Sequence, residues 1–388
     1  MKMDKFGRIL GQMGDVGVYR SLVQSRPRGS RIGLDGGEVF NFAANDYLGI
    51  SSDIDIQNEF LSSLDKSEFL MSAVSSRLLG GDNPAFESLE KYFAGLFCAF
   101  GEPRECLLFN GGYHANTGIL PALVDKNDAV FCDKLVHASL IDALKLSPCR
   151  FFRFAHGNLG HLRSLLECER ENFENVFIVT ESIFSMDGDT ADLRALVALK
   201  REFGAFLYVD EAHSFGVRGG GLGLCAELGI VGETDIIMCT LGKAVASQGA
   251  IAVVAHEIRE LLVNRARPFI FTTAMPPVSA LWSRFVFEKI LKMDDRRAAL
   301  RRNADFLRGA LSGAGVLGDS QIVPVVVGDE SAAARLAQLL LERGYWAPAV
   351  RYPTVPKNSA RLRLSLNAKM SKSELEIFAR EFENLRGK

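Results

Sequence analysis

The chain has 388 residues, 48% hydrophobic and 24% charged, the proportions of an ordinary globular protein with room for two or three domains. Its net charge of −2 gives no reason to expect nucleic acid or an anionic membrane as a partner, and no apolar run approaches the roughly 18 residues of a membrane span. The N-terminus, Met1 to Arg8, is charged and lacks the apolar stretch of a secretory signal. Cys98, Cys106, Cys132, Cys149, Cys168, Cys225 and Cys239 form no CxxC and lie mostly in apolar runs, as free thiols of a reducing cytoplasm do.

Residues 1–36 read as a polar arm with a short helix, made basic by Arg20, Arg26, Arg28 and Arg31. Those arginines either form a solvated arm that clasps a second copy or meet an anionic acyl carrier or carboxylate. Residues 37–277 read as a large domain. Val39 to Ala43 alternates into the turn Asn45-Asp46-Tyr47-Leu48-Gly49, and Ala85 to Phe100 has a helical apolar face at Leu89, Tyr92, Phe93 and Leu96. Cys106 to Phe109 is a strand that runs into Asn110-Gly111-Gly112-Tyr113 and then a helix. Bare amides at a helix start can cradle a phosphate, although many strand-to-helix turns carry Gly-Gly.

The strand Ala129–Asp133 is followed by His137, which by itself suits a core histidine as well as a ligand contact. Asn175–Glu181 leads into a tight loop with Ser185, Asp187 and Gly188. Ala205 to Val209 is closed by Asp210, with His213 three residues on. A carboxylate at a strand end can hold a protonated ring nitrogen, cap a helix or bind a metal. Gly219 to Gly223 imitates a dinucleotide loop, but no clear strand precedes it, so it reads as a flexible loop. Asp235 to Cys239 is a buried strand ending in Thr240-Leu241-Gly242-Lys243, with small residues beyond. Lys243 is either a surface lysine or an amine kept partly neutral by desolvation, able to form a Schiff base with an aldehyde cofactor. Gly249 to Ala255 is another buried strand. Thr272 and Thr273 offer hydroxyls to a phosphate or to the helix that starts near Pro277.

Residues 278–388 read as a smaller α/β domain. Ile322–Val327 is a strand, Ser331–Gly344 a helix and Tyr345–Val350 a strand. In the alternating run Arg361–Leu366, Arg361, Arg363 and Ser365 share one face, which is either a surface ion-pair face or a grip for a carboxylate. Ser371 to Glu374 is a capping box that opens the last helix.

Taken together and in order, these motifs resemble the α-oxoamine synthases, enzymes dependent on pyridoxal 5′-phosphate (PLP) that condense an amino acid with an acyl thioester and lose carbon dioxide. The resemblance rests on Asn45–Gly49, Leu108–Tyr113, Asp133 with His137–Leu140, Phe154-Ala155-His156 with Asn158, Phe184–Asp189, Val209–His213, Thr240–Lys243, Thr273–Pro277, Pro353–Pro356 and Ala360–Leu364. It implies fold type I, with a mostly parallel sheet in the large domain and a smaller C-terminal domain. It implies that Lys243 holds the cofactor and acts as base, and that Asp210 pairs with the pyridine nitrogen. His137 is expected to stack on the ring, and Ser185 and His213 to reach its phenolic oxygen. Gly111, Gly112, Tyr113, Thr240, Thr272 and Thr273 complete the cofactor site, the last two from a neighbouring subunit of a homodimer. Arg20, Asn45, Thr354 and Arg363 are expected at the substrates, with Arg363 on the amino acid carboxylate. The likeness is greatest to members that join L-alanine to a pimeloyl thioester of coenzyme A or acyl carrier protein. One departure stands out: Met71 to Ser76 replaces a glycine-rich run that lines the substrate entrance in relatives, and it leaves a sister synthase open as an alternative. An aminotransferase remains the more distant one.

Overall fold

The apolar runs in the middle of the chain form one seven-stranded sheet, in a computed structural model that describes residues 4–15, 19, 21–34 and 36–386. An N-terminal ribbon contributes β1 (Arg26–Arg28), β2 (Arg31–Leu34) and β3 (Gly37–Asn41). The large sheet consists of β4 (Glu105–Phe109), β5 (Ala129–Asp133), β6 (Arg150–Phe154), β7 (Val176–Glu181), β8 (Phe206–Asp210), β9 (Ile236–Thr240) and β10 (Ala250–Val254). The C-terminal part adds β11 (Ile322–Gly328), β12 (Tyr345–Trp346), β13 (Ala349–Val350) and β14 (Ala360–Ser365).

The large sheet has the order β4-β10-β9-β8-β7-β5-β6, and only β10 runs antiparallel to its neighbours. Its inner strands are apolar through their middles, with polar residues at their ends, because helices cover both faces. Successive side chains enter opposite cores: Leu107 and Phe109 of β4 join one cluster, Cys106 and Leu108 the other. The six parallel strands end on the same rim, so Phe109, Asp133, Glu181, Asp210 and Thr240 come together although they are far apart in the chain. The edge strand β6 escaped the sequence analysis because its Arg150 and Arg153 are exposed and break the apolar run.

The segment Tyr345–Val350, expected as one strand, is two. Ala347 and Pro348 interrupt it, and the two halves join different sheets: β12 pairs parallel with β3, and β13 pairs antiparallel with β14. A proline has no N–H to continue a ladder. As a result the N-terminal ribbon leans on the C-terminal part. Phe42 N donates to Trp346 O at 2.9 Å, and Ser365 N donates to Phe42 O at 2.9 Å. The next turn is held there too, by Asn367 Nδ2 on Asp46 O at 2.6 Å and Ala368 N on Tyr47 O at 2.8 Å. Gly49 has φ +66° in that turn, and a Cβ there would lie 2.8 Å from the Lys369 side chain. This docking carries Asn45 and Tyr47 over the rim of the large sheet.

The glycine run 219–223 is pinned, not loose. Leu224 N and Cys225 N donate to the buried Glu211 carboxylate at 2.9 and 2.6 Å, and a Cβ on Gly223 would lie 2.9 Å from that carboxylate. The glycines let the backbone close around an internal acid. All seven cysteines are free. Among the described residues no helix is long and apolar enough to cross a membrane.

Candidate active site

Lys243 follows β9 in a turn of small residues, and Ala246 in that turn takes a left-handed φ of +50°. The amine ends inside the protein, where Nζ lies 2.8 Å from His213 Nε2. His213 Nδ1 lies 2.6 Å from Tyr47 Oη, and Tyr47 Oη donates to Asn45 Oδ1 at 3.2 Å. Asn45 Oδ1 also accepts from Arg363 Nη2 at 3.0 Å, and Arg363 Nε donates to Ser185 O at 2.5 Å. One hydrogen-bonded chain therefore joins Lys243, His213, Asn45, Ser185 and Arg363, five residues singled out in the sequence, through Tyr47, which was not.

Charge along this chain follows from burial. Desolvation pulls the Lys243 amine down to about 8, against the attraction of Asp210 and Glu181. The same cause, helped by the charges of Lys243 and Arg363, pushes His213 well below the usual imidazole range. His213 is therefore neutral. With Tyr47 donating to Asn45, the His213 proton sits on Nδ1, and Nε2 accepts from Lys243.

A second network stands beside the first. Asp210, the last residue of β8, is 3% exposed and accepts from Asn116 Nδ2 and from Ala212 N, both at 2.9 Å. Asn116 Nδ2 also reaches Ser139 Oγ at 2.9 Å, and Ser139 Oγ lies 2.7 Å from His137 Nδ1. Asp210 and His137 are thus linked through the helix Gly112–Leu123, on which Asn116 follows Gly112 by one turn. His137 caps the helix Ala138–Leu146, and desolvation lowers its imidazole below the usual value. Glu181 ends β7 in register with Asp210 and is 2% exposed. Burial and the neighbouring Asp210 push its carboxyl well above the usual range.

The remaining expected residues fall around this centre. Gly111 and Gly112 open the helix Gly112–Leu123, which has no side-chain cap on its first amides. A Cβ on Gly112 would lie 3.5 Å from Thr240 Oγ1, so the hydroxyl faces the start of that helix. Tyr113 is half exposed and donates to Asp142 Oδ2 at 2.6 Å. Thr272 and Thr273 lie in the irregular segment before the helix Pro277–Ile290, whose N-cap is Pro276, so neither threonine caps it. Thr273 O accepts from Asn110 Nδ2 at 2.7 Å. Thr354 is exposed in the turn after β13 and donates its N–H to Arg351 O at 3.0 Å. Arg20 lies outside the described residues. Arg361 and Arg363 do not form a surface ion-pair face: they are 5% and 8% exposed, and Arg361 pairs with Asp187 inside the protein.

A family model for aminotransferase class I and II matches residues 37–382. The 8-amino-7-oxononanoate synthase of Haemophilus ducreyi is 43% identical over 384 residues, covering 96% of this chain and 98% of the relative. The chain belongs to the α-oxoamine synthase family. Solved structures agree in fold. Serine palmitoyltransferase from S. paucimobilis with bound PLP and myriocin has a TM-score of 0.88 at 27% identity, over 99% of this chain and 97% of that one. 8-Amino-7-oxononanoate synthase from Francisella tularensis has a TM-score of 0.73 at 28% identity, over 89% of this chain and 97% of that one.

An α-oxoamine synthase is a PLP-dependent enzyme of fold type I, and the residues here fit that cofactor. The buried Asp210 carboxylate accepts hydrogen bonds from dipolar donors, Asn116 Nδ2 and Ala212 N, while the Lys243 amine feels its charge. A buried anion left in that state calls for a cation, which a protonated pyridine nitrogen supplies. The uncapped amides after Gly111 suit a phosphate, and the lowered amine of Lys243 suits an aldehyde. Sequence reasoning missed Tyr47, Asn116, Ser139 and Glu181 as members of such a synthase site. Tyr47 lay within a quoted motif, and Asn116 stands one helical turn from Gly112, which is the signal that would have found it.

Proposed function

We propose that this chain catalyses the decarboxylative condensation of L-alanine with a pimeloyl thioester to 8-amino-7-oxononanoate. The product comes from the name carried by a relative that matches along nearly the full length, and the substrates from the family resemblance of the sequence motifs. The observation that carries the residue roles is the chain from Lys243 Nζ through His213, Tyr47 and Asn45 to Arg363, which ties a proton-transfer group to a carboxylate-binding group at one rim.

Asp210, His137, the amides after Gly111 and the hydroxyls of Ser185 and Thr240 would hold PLP, with Lys243 as its covalent anchor. Bound there, the cofactor supplies an electron sink for negative charge at the amino acid Cα. Arg363 binds the amino acid carboxylate. Its Nε and one Nη are committed to Ser185 O and Asn45 Oδ1, which fixes the guanidinium plane and leaves donors on the other Nη. Lys243, displaced by substrate, removes the Cα proton, and its lowered pKa makes the amine a competent base near neutral pH. His213 orients that amine through Nε2. The acyl carbon then joins Cα, the thiol leaves, carbon dioxide is lost, and a proton returns to Cα from Lys243. Thr272 and Thr273 are read as contributions to the site of a second copy, with Arg20 and Thr354 toward the acyl chain.

The test is thiol release by PLP-loaded protein offered L-alanine, glycine or L-serine, each with pimeloyl, acetyl, succinyl or palmitoyl thioesters, with product mass as a second readout. Release is expected with L-alanine and the pimeloyl thioester. Release with serine and the palmitoyl thioester would instead favour a sister synthase, a reading that the 0.88 TM-score to serine palmitoyltransferase keeps in view. Lys243→Ala should abolish turnover, and borohydride reduction followed by peptide mass should find the cofactor on Lys243 in the parent only. Arg363→Ala should raise KM for the amino acid far more than KM for the thioester. The opposite split would move the carboxylate site elsewhere.

A further inference from the structure

His156, in the turn after β6, stands between two carboxylates. Its Nδ1 lies 2.9 Å from Asp133 Oδ1 and its Nε2 2.9 Å from Asp189 Oδ2. Carboxylates only accept, so both ring nitrogens carry hydrogen and the ring is a cation. Burial opposes that charge, but the hydrogen bonds and negative charges of Asp133 and Asp189 outweigh it and lift the imidazole to about 10. Asp133 is in turn fixed by Leu135 N at 2.8 Å and Gly157 N at 2.9 Å. The His156 ring meets Phe184 edge-on, with centroids 4.5 Å apart at 81°. The end of β5, the turn after β6 and the loop 184–189 are therefore drawn together at one imidazolium.

The loop 184–189 meets β14 on its other side. It is closed on itself by Phe184 N donating to Asp189 O at 3.0 Å and Gly188 N donating to Phe184 O at 2.9 Å. From this closed turn Ser185 O accepts from Arg363 Nε at 2.5 Å, and Met186 O accepts from Arg361 Nη1 at 3.4 Å, beside the Arg361–Asp187 pair. Asp189 Oδ1 is buried with no partner, so without His156 this carboxylate would keep its burial and lose its cation.

We propose that His156 is a positioning residue for Arg363: it clamps the 184–189 loop to the large sheet and, through the Ser185 carbonyl, sets the angle at which the guanidinium meets the substrate carboxylate. The inference rests on the assignment of Arg363 to the amino acid carboxylate.

The experiment compares holoenzyme of the parent with His156→Asn, Asp189→Asn and Arg363→Ala, and reads KM for each substrate and the absorbance of bound PLP. His156→Asn and Asp189→Asn should each raise the amino acid KM about tenfold, with thioester KM within about twofold of the parent and PLP still bound. Adding His156→Asn to Arg363→Ala should raise the amino acid KM no further, whereas a merely structural role would add. In ¹⁵N-histidine spectra at pH 8 the His156 ring should be protonated on both nitrogens. Asp189→Asn retains the shape of the clamp and serves if His156→Asn fails to fold. An unchanged amino acid KM in both clamp variants beside a raised one in Arg363→Ala overturns this proposal alone, as does a neutral His156 ring. A raised thioester KM in Arg363→Ala overturns it together with the assignment on which it rests.

Discussion

Lys243 is the residue at which burial has the plainest chemical consequence. With the amine brought to about 8, most of it is neutral at pH 9, where an ordinary lysine near 10.5 stays charged. Only the neutral amine attacks an aldehyde, so attachment of PLP to the apoprotein should speed up about tenfold per pH unit below about 8 and level off above it. The measurement is the initial rate of absorbance change on adding PLP across pH 6 to 10; a rate still climbing at the top of that range would mark an ordinary lysine. Lys243, Asp210 and His137 were legible because each follows an apolar run that ends at a rim. Tyr47, Asn116 and Glu181 were not. Tyr47 meets His213 across 166 residues and Asn116 meets Asp210 across 94. Only the pairing of the strands decides such partners, and spacing along the chain carries no trace of it.

Between elements, the device that ties the N-terminal segment to the C-terminal part is Asp53. One oxygen caps the helix Ile54–Ser63 through Ile56 N, and the other receives Arg296 Nη2 at 2.8 Å and Lys369 Nζ at 2.9 Å. Burial alone would raise this carboxyl, but the hydrogen bonds and charges of Lys369 and Arg296 hold it at about 2, against 3.8 for a free side chain. As pH falls the unfolded chain binds the proton first. The stabilisation is therefore complete above about 4 and lost as pH falls through about 2. Asp53→Asn should cost about 1–2 kcal/mol in urea unfolding at pH 7, and the gap between parent and variant should close as pH falls from about 4 toward 2. Because Asn also caps a helix, a gap that is constant with pH would mean that the charge of Asp53 does not carry the effect. The elements joined by Asp53 were largely legible. The capping box at Ser371 forms as read, with Ser371 N donating to Glu374 Oε2 at 3.0 Å and Glu374 N to Ser371 Oγ at 3.3 Å. The alternation of β14 was legible as well, but not its burial on both faces: Leu362 and Leu364 enter the hydrophobic core while its arginines meet the loop 184–189.

At the scale of the molecule, the stretch that departs from the family's glycine-rich pattern is also where apolar surface stands open. Met71, Val74 and Leu79 are 65%, 85% and 86% exposed, with Phe271 nearby in the chain to Thr272 at 69%. Val74 takes φ +54°, a left-handed conformation that a β-branched side chain adopts only under strain. The stretch is pinned to the segment after Thr273 by Ala274 N on Ser75 O at 3.0 Å and Val278 N on Leu70 O at 3.2 Å. Exposed apolar side chains on a strained, fixed backbone beside hydroxyls proposed for a neighbouring site are accounted for together if a second copy covers them. Sedimentation should then give twice the 42.5 kDa chain mass, and Leu79→Glu should shift it toward one chain and lower turnover with it. A sharper outcome follows if the sites are shared. Lys243→Ala and a Thr272→Ala, Thr273→Ala double variant, each of low activity alone, should recover activity when unfolded and refolded as a mixture. One site of each mixed dimer would be intact, roughly a quarter of all sites at equal proportions. A single-chain mass, or a dimer whose mixture recovers nothing, would leave Thr272 and Thr273 without a role across the interface.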